Sequence, residues 1–318
     1  MPKVTIIMNC YNGEKYLEQA IDSIFAQTFD DWEFIFWDNC STDNSASIAK
    51  SYGPRVRYFC AEETTSLGAA RALAVEEAKG DWIGFLDSDD YWYADKLEKQ
   101  INALKEDDYV LCYAGVREIT ERGKTIRVMI PAYSSGMTFP NQLHQFDINM
   151  VTPLINRNFM VENNLNFNPK ITASVEYSLF MRLAARGKFC IIHEPLGVWR
   201  IWPGTLTSQR QHILAEERRI ILEQVIQENP GIAEKYPHQF AEAFARGDYF
   251  EANYFVKKGS VQEAKVIMKR IKHHDIRYKL LYLSLWVPGL WNLMHSNFVK
   301  LTVATKLLNF VRWLRGSK

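Results

Sequence analysis

No Gly-x-Gly-x-x-Gly follows the first apolar segment; Met8 is followed instead by Asn9-Cys10-Tyr11-Asn12-Gly13. That absence counts against an NAD or FAD enzyme. It also removes the phosphate-cradling glycine loop that a nucleotidyltransferase would need there. The five cysteines (Cys10, Cys40, Cys60, Cys112, Cys190) are dispersed, with no CxxC pair, which suits reduced core thiols in a cytosolic setting. The seven histidines show no metal-ligand spacing, and His273-His274 reads as a solvated turn. No stretch reaches the ~18–20 uninterrupted apolar residues of a spanning helix. Residues 1–7 open directly into a strand and lack a signal-peptide pattern. Net charge is only +1, which argues against nucleic acid as the main partner. Acid is absent from Ile276 to Lys318, where seven Lys and Arg stand; residues 1–275 carry 31 basic and 37 acidic side chains.

What is present is enough for a packed core. The chain has 318 residues, 47% hydrophobic and 24% charged, room for two domains or one large α/β domain with appendages. Strand and helix patterns alternate through the first hundred residues. Strands are expected at Val4–Met8, Trp32–Trp37, Val56–Cys60, Trp82–Leu86 and Tyr109–Val116. Helices are expected around Leu17–Phe25 and over Asn44–Ser51, Leu67–Ala78 and Ala94–Leu104, with Gly80 as a helix stop. Such alternation implies a parallel sheet with helices on both faces, and ligands then bind beyond the carboxyl ends of the strands. Residues 117–170 read as loops around a second sheet region, Val175–Arg186 as a helix, Gly197–Ser208 as a loop, and His212–His274 as helical throughout. The domains expected are 1–210, a helical extension 211–275, and a basic, aromatic tail 276–318.

Three polar clusters fall at strand ends. Asp87-Ser88-Asp89-Asp90 ends the fourth strand, and like charges so close repel unless a cation neutralises them. A hard divalent ion held by one or two carboxylates takes the rest of its shell from water and substrate phosphates. The alternative is an N-cap for the next helix. At the end of the first strand, Tyr11 suits packing on a base or ribose, and Asn9 or Asn12 suits hydrogen bonding to it; Asn12-Gly13 is also a plain turn signal. Asp38, at the end of the second strand, suits accepting from a base imide N–H, or capping. Arg71, among the small residues Gly68-Ala-Ala, either points at the phosphate site or pairs on the surface with Glu76 or Glu77.

The run Val4–Ile24, then Asp38-Asn-Cys-Ser-Thr-Asp43, Gly68-Ala-Ala-Arg71 and Phe85-Leu-Asp-Ser-Asp-Asp90 resembles the family 2 glycosyltransferases, in order over residues 3–105 and more loosely to 208. The resemblance implies a GT-A fold of α/β type with a mixed, mainly parallel sheet, and an inverting transfer from a nucleotide-sugar, expected to be a UDP-sugar, with Mn²⁺ or Mg²⁺. It implies that Tyr11, Asp38 and Arg71 contact the nucleotide, with Asn9, Asn12 and Ser88 beside them, that Asp87 meets the ribose or metal, and that Asp89 holds the metal. Val175-Glu176-Tyr-Ser-Leu-Phe-Met-Arg182 resembles the family's Glu-Asp-x-x-Leu-x-x-Arg segment, which places Glu176 as general base.

The sequence departs from the pattern at Asn9-Cys10, at Asn39, and at Trp202 of Trp199-Arg200-Ile-Trp202, where a histidine is usual. Arg200 then reaches the diphosphate or an acidic neighbour, and Trp202 stacks on a sugar or packs in the core. The altered Asn9, Asn39 and Glu176 positions leave a catalytically silent nucleotide-sugar-binding scaffold as the alternative. The acceptor implied is a glycan or lipid-linked glycan. Between Phe298 and Leu314 a narrow polar stripe on an otherwise apolar helix pattern suits a membrane surface on the cytoplasmic side, or docking on protein.

Overall fold

The computed structural model describes residues 1–202 and 213–295. The loop read around Pro203-Gly204 and the helix read over 298–314 lie outside the described residues. Among those described, contacts divide the chain into two units, 1–202 with 220–239, and 213–219 with 240–295.

The first unit is built on one sheet. Its strands are β1 (Val4–Cys10), β2 (Trp32–Asp38), β3 (Val56–Cys60), β4 (Trp82–Phe85), β5 (Tyr91–Trp92), β6 (Tyr109–Thr120), β7 (Thr125–Met129), β8 (Leu154–Asn156) and β9 (Lys188–Ile201). The order is β3-β2-β1-β4-β8-β6-β9-β5, with β7 on β6. β1 pairs in parallel with β2 and β4, β2 with β3, and β6 with β9; β8, β5 and β7 run antiparallel to their neighbours. The sheet is thus mixed and mainly parallel. Register sets Cys10 beside Asp38 and Asp38 beside Cys60, so the first three strands end on one edge.

Helices cover the sheet because their apolar spacing gives each one buried face. In α1 (Glu14–Phe25) the buried positions are Leu17, Ala20, Ile21 and Ile24, one stripe at helical period. They pack with Val4, Ile6, Met8, Phe34 and Phe36; each large side chain so buried contributes roughly 1.5–3 kcal/mol. α2 (Ser45–Ser51), α3 (Leu67–Glu76), α4 (Lys96–Ala103), α5 (Phe139–His144), α6 (Arg157–Glu162) and α7 (Val175–Ala184) complete the chain to residue 184. α8 (Leu214–Glu228), α9 (Ile232–Lys235) and α10 (Pro237–Lys257) follow.

Most of 117–170 is irregular, as read, around the second sheet region that the end of β6, β7 and β8 form, with α5 and α6 among the loops. Two expectations need correction. Gly197–Ile201 is not loop but the end of β9. Pro195 and Gly197 read as breakers, yet they stand opposite Gly115 and Val116 at register shifts that absorb the irregularity. A Cβ at Gly197 would come 2.7 Å from Val151 Cγ1, so this glycine serves close packing rather than a turn. Gly80 is likewise no helix stop, since α3 ends at Glu76; a Cβ there would lie 2.5 Å from Thr5 N.

The second unit packs α10 with α11 (Val261–Ile271), α12 (Ile276–Ser284) and α13 (Leu290–His295). Its core holds Ala245, Ala252, Ala264, Ile267, Met268, Ile271, Tyr278, Leu285 and Trp291. Gly247 lies inside α10, whereas Gly259, with φ 83°, sits in the turn before α11.

Candidate active site

The loops after β1, β2 and β3 are fastened to one another. Asn12 adopts φ 52°, a left-handed conformation that asparagine tolerates better than most residues. Its Oδ1 accepts from Thr42 N at 2.8 Å and its own N–H donates to Ser41 Oγ at 3.1 Å. Gly13 N–H donates to Ser45 Oγ at 3.0 Å. Asn39 donates from Nδ2 to Thr65 O at 2.9 Å and accepts from Thr65 N–H and Oγ1 at 3.2 and 3.1 Å. Asp38 is buried; its Oδ1 accepts from Ser41 N–H at 2.7 Å and its Oδ2 from the Tyr58 hydroxyl at 2.6 Å. Burial and the Asp38 contact push the Tyr58 pKa upward. Tyr11, by contrast, is 55% exposed. Both polar atoms of the Asn9 amide are buried without a hydrogen-bond partner among the described residues, a state that costs free energy until something bonds them.

The acidic turn meets the first loop directly. A Cβ on Gly13 would fall 2.6 Å from Ser88 Oγ and 2.8 Å from Cys10 Sγ, so a side chain there would have to displace Ser88 and Cys10. The turn closes with Asp90 N–H on Asp87 O at 3.1 Å. It does not cap α4, whose N-cap is Asp95. Its carboxylates have separate tasks. Asp90 is buried and its Oδ1 accepts from Arg200 N–H at 2.8 Å; burial, then the charges of Asp89 and Asp87, push its pKa well up. Asp89 Oδ2 accepts from Trp202 Nε1 at 2.8 Å, and burial with the Asp87 charge raises its pKa too. Asp87 Oδ1 accepts from Arg71 Nη2 at 2.8 Å, and its side chain is 40% exposed.

Arg71 is 2% exposed, so it is not a surface cation. Glu77 pairs with Arg57 instead. Small residues let α3 lie close: a Cβ on Gly68 would meet Asn168 O at 2.7 Å. The guanidinium, 5.8 Å from the Phe167 ring, contacts Asp87 on one side and Glu176 Oε2 at 4.0 Å on the other. Glu176 stands in the first turn of α7, its side chain 35% exposed. One buried arginine thus joins the acidic turn to the residue read as general base.

The sequence named Arg200 and Trp202, but not how they wall the far side of the turn. Arg200 donates from Nε to Asp89 O at 3.0 Å, from Nη1 to Glu121 O at 3.2 Å and from Nη2 to Gln19 Oε1 at 2.7 Å. It lies 4.3 Å over the Tyr16 ring, and Tyr16 meets Trp202 edge-on at 6.4 Å. Trp202 is thus neither free for stacking alone nor a core aromatic. Its indole N–H holds a carboxylate. Arg182 bonds Glu228 at 2.9 Å and Asn166 O at 3.2 Å, so it braces α7.

Among the described residues no group of three or more His, Cys, Asp or Glu forms a metal cage. Asp87 and Asp89 suit a different mode. Each gives one oxygen to a donor, and a carboxylate offers about four acceptor positions, so ligand capacity remains. Two like charges this close in sequence are the donor set a divalent ion would neutralise, with its remaining shell from elsewhere.

The strand order, the joined strand-end loops and the acidic turn define a GT-A type α/β fold, and comparison with known proteins agrees. The family description "Glycosyl transferase family 2" matches residues 5–170; the chain belongs to glycosyltransferase family 2. A Rickettsia felis "Uncharacterized glycosyltransferase" is 32% identical over 208 residues, 64% of this chain but only 34% of that relative, so the chain spans about a third of its length. A "Putative teichuronic acid biosynthesis glycosyltransferase TuaG" of Bacillus subtilis is 29% identical over 66% of this chain and 83% of its own. Among solved structures, S. aureus TarS 1–349 in complex with UDP-GlcNAc superposes with TM-score 0.71 at 16% identity, covering 91% of this chain and 88% of that one. The mannosyltransferase PcManGT of Pyrobaculum calidifontis, in complex with GDP-Man and Mn²⁺, gives 0.57 at 17% identity over 92% and 88%. These likenesses concern fold.

Proposed function

We propose that this chain is an inverting glycosyltransferase that moves a sugar from a UDP-sugar to a hydroxyl of a glycan or lipid-linked glycan on the cytoplasmic side of a membrane. The observation that carries the reading is the Asp87–Arg71–Glu176 array, with contacts of 2.8 and 4.0 Å. It supports a donor diphosphate and an attacking hydroxyl meeting beside one guanidinium. TarS bound to UDP-GlcNAc supports the uridine donor. The names of TuaG and of a Pasteurella multocida hyaluronan synthase, 26% identical over 92% of this chain and 29% of its own, support a glycan acceptor.

In this reading Tyr11 lies against the base or ribose, Asp38 accepts from the base, Ser88 and Asn12 line the donor, and the Asn9 amide gains the partner it lacks. Asp87 and Asp89 would hold Mn²⁺ or Mg²⁺, which supplies Lewis-acid stabilisation of the departing diphosphate when bound. Glu176 takes the proton of the acceptor hydroxyl as its oxygen bonds to the anomeric carbon. The bond from that carbon to the diphosphate oxygen breaks on the opposite face, and the nucleoside diphosphate leaves with the electron pair. Arg71 offsets the charge that develops there.

Glu176→Gln is the test. With UDP-sugar, Mn²⁺ and acceptor, turnover should fall about 10²- to 10⁴-fold while the UDP-induced thermal shift persists. Binding of UDP with no turnover even in the unaltered protein would instead indicate a silent scaffold.

A further inference from the structure

We propose that the exposed face of α12 and α13 is a docking surface for a bilayer carrying anionic lipids. Ile276, Leu280 and Leu283 recur at helical spacing on α12 and are 64%, 49% and 52% exposed. Trp286 and Val287, in the turn that follows, are 62% and 52% exposed, and Leu293 on α13 is 53% exposed. The opposite side of the same stretch, with Tyr278, Leu285 and Trp291, fills the unit's core. The outward apolar residues are therefore surplus to folding. An outward face this apolar marks an interaction site.

Charge names the occupant. From Ala264 to His295 there are six Lys and Arg and one acid, Asp275. Asp275 is engaged by Arg277 at 2.9 Å, which also reaches Glu242 on α10 at 3.6 Å. Lys265 places its Nζ 4.0 Å from the Trp286 ring, and Lys272 its own 4.9 Å from Tyr282. Basic heads beside aromatic rings around an apolar strip match the layering of a bilayer interface, with acyl chains under the apolar residues and phosphates under the lysines. A second copy docked by two-fold symmetry would set like-charged rims against each other, which disfavours it. No helix among the described residues is long and apolar enough to cross a membrane, so the contact lies on the surface.

The test needs no donor or acceptor, so its failure is separate from failure of the transfer reading. The full chain is floated with vesicles of equal parts phosphatidylcholine and phosphatidylglycerol, and with phosphatidylcholine alone. The unaltered protein should float with the anionic vesicles, less so as salt is raised, and the double variant Leu283→Glu/Trp286→Glu should partition about tenfold less or worse. Circular dichroism and the UDP-induced thermal shift should be unchanged in the variant, and the milder Leu293→Ser should show a smaller loss. Absence of flotation by the unaltered protein overturns the proposal. So does flotation of the double variant at full strength, or a solution dimer that the variant dissolves.

Discussion

Arg71 and Lys96, two of the buried cations of the first unit, lead opposite lives. Arg71, at the strand-end edge, has carboxylates at 2.8 and 4.0 Å. Lys96, at the start of α4, is 0% exposed; among the described residues its Nζ has no hydrogen-bond partner, and it lies 3.8 Å from the Trp92 ring. Burial pushes the Lys96 pKa down to about 7. A buried charge with acids on both sides organises its neighbours. A buried ammonium with an aromatic face alone tends to shed its proton.

The sharpest way to break this contrast is Arg71→Met. If Arg71 organises the donor site, turnover should drop about 10²- to 10³-fold, and melting should show a loss of roughly 2 kcal/mol as Asp87 loses its partner. Unchanged turnover with raised stability would make Arg71 a second Lys96.

Lys96→Met should act in the other direction. The unfolded side chain titrates near ~10.4, so between pH 7 and that value the unfolded chain binds more protons than the native one. The Lys96 penalty is therefore full below about pH 7 and fades as pH rises above it. The variant should gain on the order of 2 kcal/mol at pH 7, after loss of the Trp92 contact, and the gain should shrink by pH 10. Denaturant melts at several pH values measure this; a variant less stable at pH 7 would refute it.

Trp202→Phe carries the smallest effect. It keeps the ring but removes the donor to Asp89, so turnover should fall about tenfold, the equivalent of one hydrogen bond to a charged group. Much of that should be restored by raised Mn²⁺ if the indole only orients the carboxylate. Equal turnover at all Mn²⁺ concentrations would remove Trp202 from the site.

What the sequence made legible was local. β1 to β4 were readable because each is a short apolar run bounded by turn signals. Their polar ends could be read with them, because parallel strands deliver their carboxyl ends to one edge. β8 was hidden because three residues, Leu154–Asn156, carry no period. The end of β9 was hidden because Pro195 and Gly197 mimic a loop while a bulged partner accommodates them. At the site, Arg71, Asp87 and Glu176 could be named from motifs, but their contacts could not. Tyr58 on Asp38 requires the β2–β3 register. Trp202 on Asp89 joins residues more than a hundred positions apart, a distance over which spacing says nothing.

The clasps from Asn12 to Ser41 and Thr42, and from Asn39 to Thr65, have a thermodynamic corollary. Three loops that would otherwise wander separately are already immobilised, so an arriving ligand forfeits little conformational entropy on that flank. Recognition there should resemble a key meeting a cut lock, and any induced rearrangement must be sought on the acceptor flank instead.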